Sequence, residues 1–204
     1  ARRYNITIVE DDIFRLLDER VQPPAFYNLA PERTFYITSL SKALAPGLRV
    51  GFIATPPGRA RLLRVNQQVA NGRAVGLTVE MARYWLETDI ADGVIRRVVS
   101  ELKIRRQGFF EVFKGHKFRC EPGAPYAWLS LPQQWKPVRF AVAARQRGVH
   151  ISPGPSFAIG AKAQEQNIRV CFGQPATAQD LRAALEKLRT LMAETHTDDF
   201  SPVA

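Results

Sequence analysis

The stretch Ser39–Phe52, SLSKALAPGLRVGF, decides how the rest of this chain is read. Its lysine, Lys42, is one of only seven in 204 residues. It stands between two strand-like runs, among serines, with Arg49 seven residues on. A solvated surface lysine needs no such setting, whereas a lysine that forms a covalent bond does.

Working outward, RTFYITSLS (33–41) is a β-branched and aromatic run ending in a serine-rich turn. LRVGFIATP (48–56) is a second strand, closed by Pro56 and Pro57. Upstream, Ile6–Val9 predicts a further strand that leads into Glu10, Asp11 and Asp12. Downstream, the pattern predicts a helix over 57–68, then long helical material over 78–113 with a bend near Gly93. Glu101 and Arg105 form an i,i+4 pair on it.

The character changes after residue 114. HKFRCEP, APYAWLSLP, GVHISPG and NIRVCFG are short strands bounded by Gly and Pro, with a helix over 138–148 between two of them. The segment from Thr177 to Glu194 is an amphipathic helix. Thr177 is its cap, Asp180 stands at the box position, and Leu181, Leu185, Leu188 and Met192 form its stripe. The expected organisation is a partial α/β domain over 1–76, a connecting long helix over 77–113 and a smaller α+β domain over 114–204.

The composition sets bounds. An apolar content of 46% excludes a mostly disordered chain. The net charge of +10 favours anionic partners, although the basic residues, mostly arginine, are scattered rather than gathered into one patch. Cys120 and Cys171 stand in apolar runs without CxxC spacing, so they read as buried thiols and no metal site is expected. His116 and His150 have no ligand partners at useful spacing, and Tyr126 and Trp128 read as core. No signal peptide and no long apolar span is visible, which predicts a cytoplasmic protein without membrane contact.

Polar groups gather at the predicted strand ends. Arg49 with Ser39 can bind a phosphate, since guanidinium and hydroxyl both donate to its oxygens. Lys42 can form an imine with an aldehyde. Asp11 can pair with a protonated ring nitrogen. Arg169, inside the strand NIRVCFG, can hold a carboxylate with two parallel hydrogen bonds. Together these describe pyridoxal phosphate and an amino acid.

The four motifs resemble those of fold-type I, aspartate aminotransferase-like proteins, in family order: IVEDDIF, SLSKALAPGLRVG, GVHISPGPSF and NIRVCFG. VEDD, RYWLETDIADGVI and ELKIRRQ are most similar to the MocR branch of GntR-type transcriptional regulators. In that branch an aminotransferase-like effector domain follows a winged helix and senses pyridoxal phosphate or its adduct with an amino compound. The resemblance implies a catalytic-type Lys42 and cofactor contacts from Asp11, Phe14, Ser39, Ser41, Lys42 and Arg49. It implies Arg169 as the substrate carboxylate clamp.

Phe14 departs from the family's tyrosine and cannot donate a phenolic hydrogen bond. The family's glycine-rich phosphate turn, stacking aromatic and ring-oxygen asparagine are expected upstream of Ala1. The chain therefore reads as the C-terminal part of a longer regulator, with DNA contacted only through an upstream domain. It is expected to form a homodimer and, by itself, to hold the cofactor weakly and to be inactive. Two alternatives stay open: a true aminotransferase acting on an amino acid, and a remodelled module that binds no cofactor.

Overall fold

The computed structural model describes residues 1–72, 74–159, 166–173 and 175–194. The chain divides into two compact units, Ala1–Ser100 and Glu101–Ala204.

In the first unit, β1 (Ile8–Asp11) is followed by the short helix α1 (Phe26–Leu29), β2 (Thr34–Ser39) and β3 (Gly51–Ala54). The sheet order is β1-β2-β3, with β1 and β2 parallel and β2 and β3 antiparallel. The parallel pair needs a crossover, and residues 12–33 supply it. β1 begins two residues later than the apolar run suggests. Asn5 turns the chain in the left-handed region at φ 49°. Pairing then runs from Ile8 opposite Thr34 to Asp11 opposite Ile37. Glu10 and Asp11 therefore lie within the strand rather than after it.

Three helices follow: α2 (Ala60–Asn71), α3 (Gly76–Glu87) and α4 (Ile90–Val112), the last running into the second unit. The expected single helix is thus two, and the break falls at Thr88 and Asp89 instead of Gly93. Thr88 is extended, and its hydroxyl donates to the Tyr84 carbonyl at 2.8 Å, ending α3 by a side-chain bond to a free carbonyl. Gly93 lies within α4, where nothing interrupts the helix.

The second unit contains β4 (Phe118–Arg119), β5 (Tyr126–Ser130), α5 (Pro137–Gln146), β6 (Ser152–Pro153), β7 (Asn167–Cys171) and α6 (Ala178–Ala193). The sheet order is β4-β5-β7-β6, antiparallel throughout. Burial alternates strictly along β5 and β7, as period-2 geometry demands of a sheet covered on one side. Ala127, Leu129, Ile168 and Val170 point into a core with Phe109, Phe113, Phe140, Phe172 and the Leu181, Leu185, Leu188 and Met192 stripe of α6. Phe109 packs 5.4 Å from Phe172 and 5.2 Å from Phe118, centroid to centroid.

The capping box on α6 forms as expected: Thr177 Oγ1 accepts from Asp180 N at 3.0 Å, and Asp180 accepts from Thr177 N at 3.1 Å. The Glu101–Arg105 pair is also present, at 2.8 Å, but it is one part of a larger anchor. The Arg105 side chain is buried and also donates to the carbonyls of Phe172, Pro175 and Ala176. One guanidinium thereby satisfies three backbone acceptors of the turn between β7 and α6.

Cys120 and Cys171 are half-buried rather than fully enclosed. Burial still pushes the Cys120 thiol up from its ordinary value.

Replacing Arg105 with Met leaves three carbonyls without their donor. The expected loss is about 3 kcal/mol, from buried acceptors left unmade. Arg182→Ala, which breaks an exposed pair with Glu111, should cost less than about 1 kcal/mol. Urea unfolding of the two variants, followed by far-UV circular dichroism, checks the contrast; equal midpoints would refute it.

Candidate functional site

The carboxyl ends of β1 and β2 and the start of β3 lie at one edge of the first sheet, because β1 and β2 are parallel and β3 returns antiparallel. Asp11 closes β1 and pairs with Ile37, two residues before Ser39. Period-2 alternation places Asp11, Ile37 and Ser39 on one face. Glu10 and Asp12 fall on the other face.

Those two neighbours are committed to structure. Glu10 accepts from the backbone N–H of Phe26 and Tyr27, at 2.9 and 3.1 Å, and so caps α1. Asp12 accepts from Arg15 and from the Tyr36 hydroxyl, each at 3.1 Å. Burial and the Asp12 carboxylate together raise the Tyr36 phenol above its usual value. Asp11 differs. It is exposed, and its carboxylate accepts only from Ile13 N, at 3.3 Å, with no ion pair among the described residues. Of three consecutive acids, geometry leaves Asp11 available to a ligand.

Lys42 is presented by a closed loop. Leu40 N donates to Val50 O at 3.2 Å, Leu44 N to Leu40 O at 2.8 Å, and Ala45 N to Leu40 O at 3.2 Å. Leu40, Ala43, Leu48 and Val50 are buried, and Leu40, Leu48 and Val50 form one apolar cluster with Ala82 of α3. Lys42 and Arg49 are exposed between these anchors, while Ser39 and Ser41 are half-buried. Ser41 N donates to Ser39 Oγ at 3.4 Å, which holds that hydroxyl at the loop entrance.

Arg49 sits in the left-handed region, φ 53° and ψ 34°, which is uncommon for a residue with a Cβ. Such strain gathers at ligand sites. The next glycine has a steric reason: a Cβ at Gly51 would stand 3.3 Å from the Thr38 carbonyl and 3.6 Å from Ser39 Cβ. Gly51 therefore lets β3 start against Ser39, a role not singled out from sequence although the glycine stands inside the decisive motif.

Phe14 is half-buried, and its carbonyl receives Leu17 N at 2.9 Å to form the turn Arg15–Leu17. Its ring offers no donor to the edge of the sheet.

Arg169 lies in the second unit, at the centre of β7 on the open face of that sheet. No carboxylate pairs with it among the described residues; its guanidinium lies 4.4 Å from the Phe157 ring and 5.5 Å from the Tyr126 ring. Its Nε is buried and has no hydrogen-bond partner among the described residues. Tyr126 and Trp128 are accordingly not core residues. Alternation turns Ala127 and Leu129 inward and leaves those two aromatics half-buried beside Arg169, with Trp128 directly opposite it. The pattern Tyr-Ala-Trp-Leu-Ser carried that signal.

Grooves of about 570 Å³ between α4 and α6, and about 710 Å³ beside Lys117 and Arg189, include none of these residues in their walls. His116 packs edge-on against Phe113, and His150 is exposed. Among the described residues no group of three or more His, Cys, Asp or Glu side chains is placed to hold a metal ion. No described helix is long and apolar enough to cross a membrane.

Known proteins resemble this chain in sequence and in fold. The chain is 27% identical over 197 residues to the uncharacterized HTH-type transcriptional regulator YdeF of Bacillus subtilis (strain 168), covering 94% of this chain and 41% of that protein. It is 27% identical over 165 residues to aromatic-amino-acid aminotransferase 1 of Thermococcus litoralis, covering 77% of this chain and 39% of that one. The crystal structure of an archaeal alanine:glyoxylate aminotransferase superposes with a TM-score of 0.86 at 20% identity, over 96% of this chain and 50% of that one. The chain thus spans about two-fifths of the length of these curated relatives. At such identity the structural match establishes an α/β fold of the fold-type I aminotransferase kind, in part. The sequence profile described as "Aminotransferase class I and II" matches residues 1–188. By that match, over most of its length, this chain belongs to the class I and II aminotransferase family.

Proposed function

We propose that the chain is the aminotransferase-like effector portion of a GntR/MocR-type transcriptional regulator, responding to pyridoxal phosphate or an amino compound. The observation that carries the site reading is the Lys42 loop. Its apolar residues are buried, which leaves one lysine and one arginine exposed with two half-buried serines, and the exposed Asp11 shares a sheet face with Ser39.

Pyridoxal phosphate is the cofactor implied by the family and by structural neighbours solved with its pyridoxamine or phosphopyridoxyl forms. The donor set present fits it. The Ser39 hydroxyl and Arg49 guanidinium would bind the phosphate, Asp11 would hold a proton on the ring nitrogen, and Lys42 would meet the aldehyde. Ser41 would support Ser39 through its backbone N–H, as it does here. When bound, the cofactor supplies an aldehyde for amines and an electron-withdrawing ring. Phe14 would pack beside that ring without donating to it. Arg169 would take the carboxylate of an amino acid. Residues 1–76 would form the cofactor-binding part and residues 114–204 the carboxylate-binding part, with 77–113 between them.

The regulator reading is supported by HTH-type relatives that align over most of this chain, YdeF and YdfD of Bacillus subtilis among them. A second reading, an aminotransferase acting on an amino acid, is supported by the aromatic-amino-acid and 2-aminoadipate transaminases that also align. The reading frame immediately upstream separates the two: a winged helix is expected there, and a short N-terminal arm would favour the enzyme.

The exposed apolar residues of the first unit, among them Val9, Ile53, Leu62 and Val69, favour self-association. We place the protein in the cytoplasm as a homodimer. Multi-angle light scattering should give a dimer or larger species, and a monomer at high concentration would count against it.

The site is tested by incubating the chain with excess pyridoxal phosphate, reducing with borohydride and mapping the modified peptides. Label is expected at Lys42 and is lost in Lys42→Ala. Arg49→Ala should weaken retention about tenfold to a hundredfold, the worth of one charge-assisted hydrogen bond. Desalting before reduction should leave less than one equivalent, and no transaminase activity is expected of this chain alone. Label spread evenly over the lysines, or unchanged in Lys42→Ala, would refute the site.

A further inference from the structure

Among the described residues of its own unit, no carboxylate neutralises the charge of Arg169. The described acids there are all engaged elsewhere: Glu101 with Arg105, Glu111 with Arg182, Glu121 with Arg119, Asp180 in the cap of α6, Glu186 with Arg189, and Glu194 with Arg147. What Arg169 has instead is aromatic surface. Phe157 lies 4.4 Å from the guanidinium carbon and Tyr126 lies 5.5 Å from it. Trp128 braces Phe157 edge-on at 5.2 Å.

Ring faces attract a cation through their quadrupole, but they accept no ordinary hydrogen bond from its N–H groups. A guanidinium stacked on rings is held flat, with its donors directed along its own plane. Arg169 Nε is such a donor, buried and unpartnered among the described residues. Asn167 Oδ1, on the same face of β7, is likewise buried and unpartnered. The orphaned Nε–H points to an outside acceptor, because a buried donor without a partner is costly.

Simple core packing does not explain Phe157, whose exposure is 43%. The ring stands on a 3-10 turn, Gly154–Phe157, containing Pro155 and preceded by Pro153. Proline restricts the backbone of this turn and so the position of the ring.

We infer that Phe157, backed by Tyr126, is a positioning residue for Arg169, holding the guanidinium flat so that its free N–H edge meets a ligand carboxylate. The inference rests on the proposed carboxylate role of Arg169. It adds that affinity for the carboxylate depends on an aromatic ring at 157, since a side chain with seven rotatable-stem and fork atoms binds best when it is ordered beforehand.

The test is an NMR titration of the full chain with phenylacetate, following the Arg169 Nε–H cross-peak. Wild type should shift saturably, and Arg169→Gln should not bind. Phe157→Leu, similar in volume but not aromatic, should raise Kd about tenfold, or ~1.4 kcal/mol. Phe157→Tyr should stay within about twofold of wild type, a rescue that a merely space-filling role would not require. If Phe157→Leu does not fold, Tyr126→Leu reads the same stack from its more distant ring, with a rise of about threefold expected. An unchanged Kd in the aliphatic variants, with binding lost in Arg169→Gln, overturns the inference and leaves the carboxylate reading standing. No binding by wild type, or binding that survives Arg169→Gln, overturns that reading and the inference with it.

Discussion

The burial of four apolar side chains in one short loop governs the site. Leu40, Ala43, Leu48 and Val50 turn inward, and the Leu40–Val50 hydrogen bond closes the loop at its base. Once those positions are buried, Lys42 and Arg49 are left on the outside, and the half-buried Ser39 and Ser41 stand at the entrance. Presentation of the lysine thus follows from apolar packing beneath it, which is cheaper to maintain than a network of polar contacts around it. The left-handed backbone at Arg49 is tolerated because buried residues on both sides, Leu48 and Val50, determine where the chain must pass.

The same economy appears at the end of β1. Three consecutive acids would repel if all faced one way. Alternation sends Glu10 and Asp12 to one face, where a helix cap and a Tyr36–Arg15 cluster absorb them. Asp11 goes to the other face with Ser39. A single strand therefore separates two carboxylates engaged in structure from one left exposed.

In the second unit the work is divided between two arginines of opposite character. Arg105 is fully engaged, donating to a glutamate and three carbonyls, and fastens the turn between β7 and α6 to α4. Arg169 lies over the Phe157 ring, and its Nε has no partner among the described residues. Both lie in apolar surroundings, and the acceptors within reach of each make the difference.

Much of this was legible in the primary structure. The order of elements, the capping box at Thr177 and Asp180, the α6 stripe and the motif around Lys42 rest on local spacing, and local spacing survives folding. The family itself was readable from four motifs in order, and the class I and II aminotransferase match over residues 1–188 bears it out. Tertiary structure decided the rest. The helix over 78–113 broke at Thr88 because a hydroxyl found the Tyr84 carbonyl, an option that apolar periodicity does not record. Tyr126 and Trp128 left the core because cross-strand register set them beside Arg169, and register belongs to two strands at once. Which of three acids stays free, and whether an arginine in an apolar strand meets a carboxylate or a ring, depends on neighbours distant in sequence. Residue identity alone supplies the charge, and only the folded surroundings determine its partner.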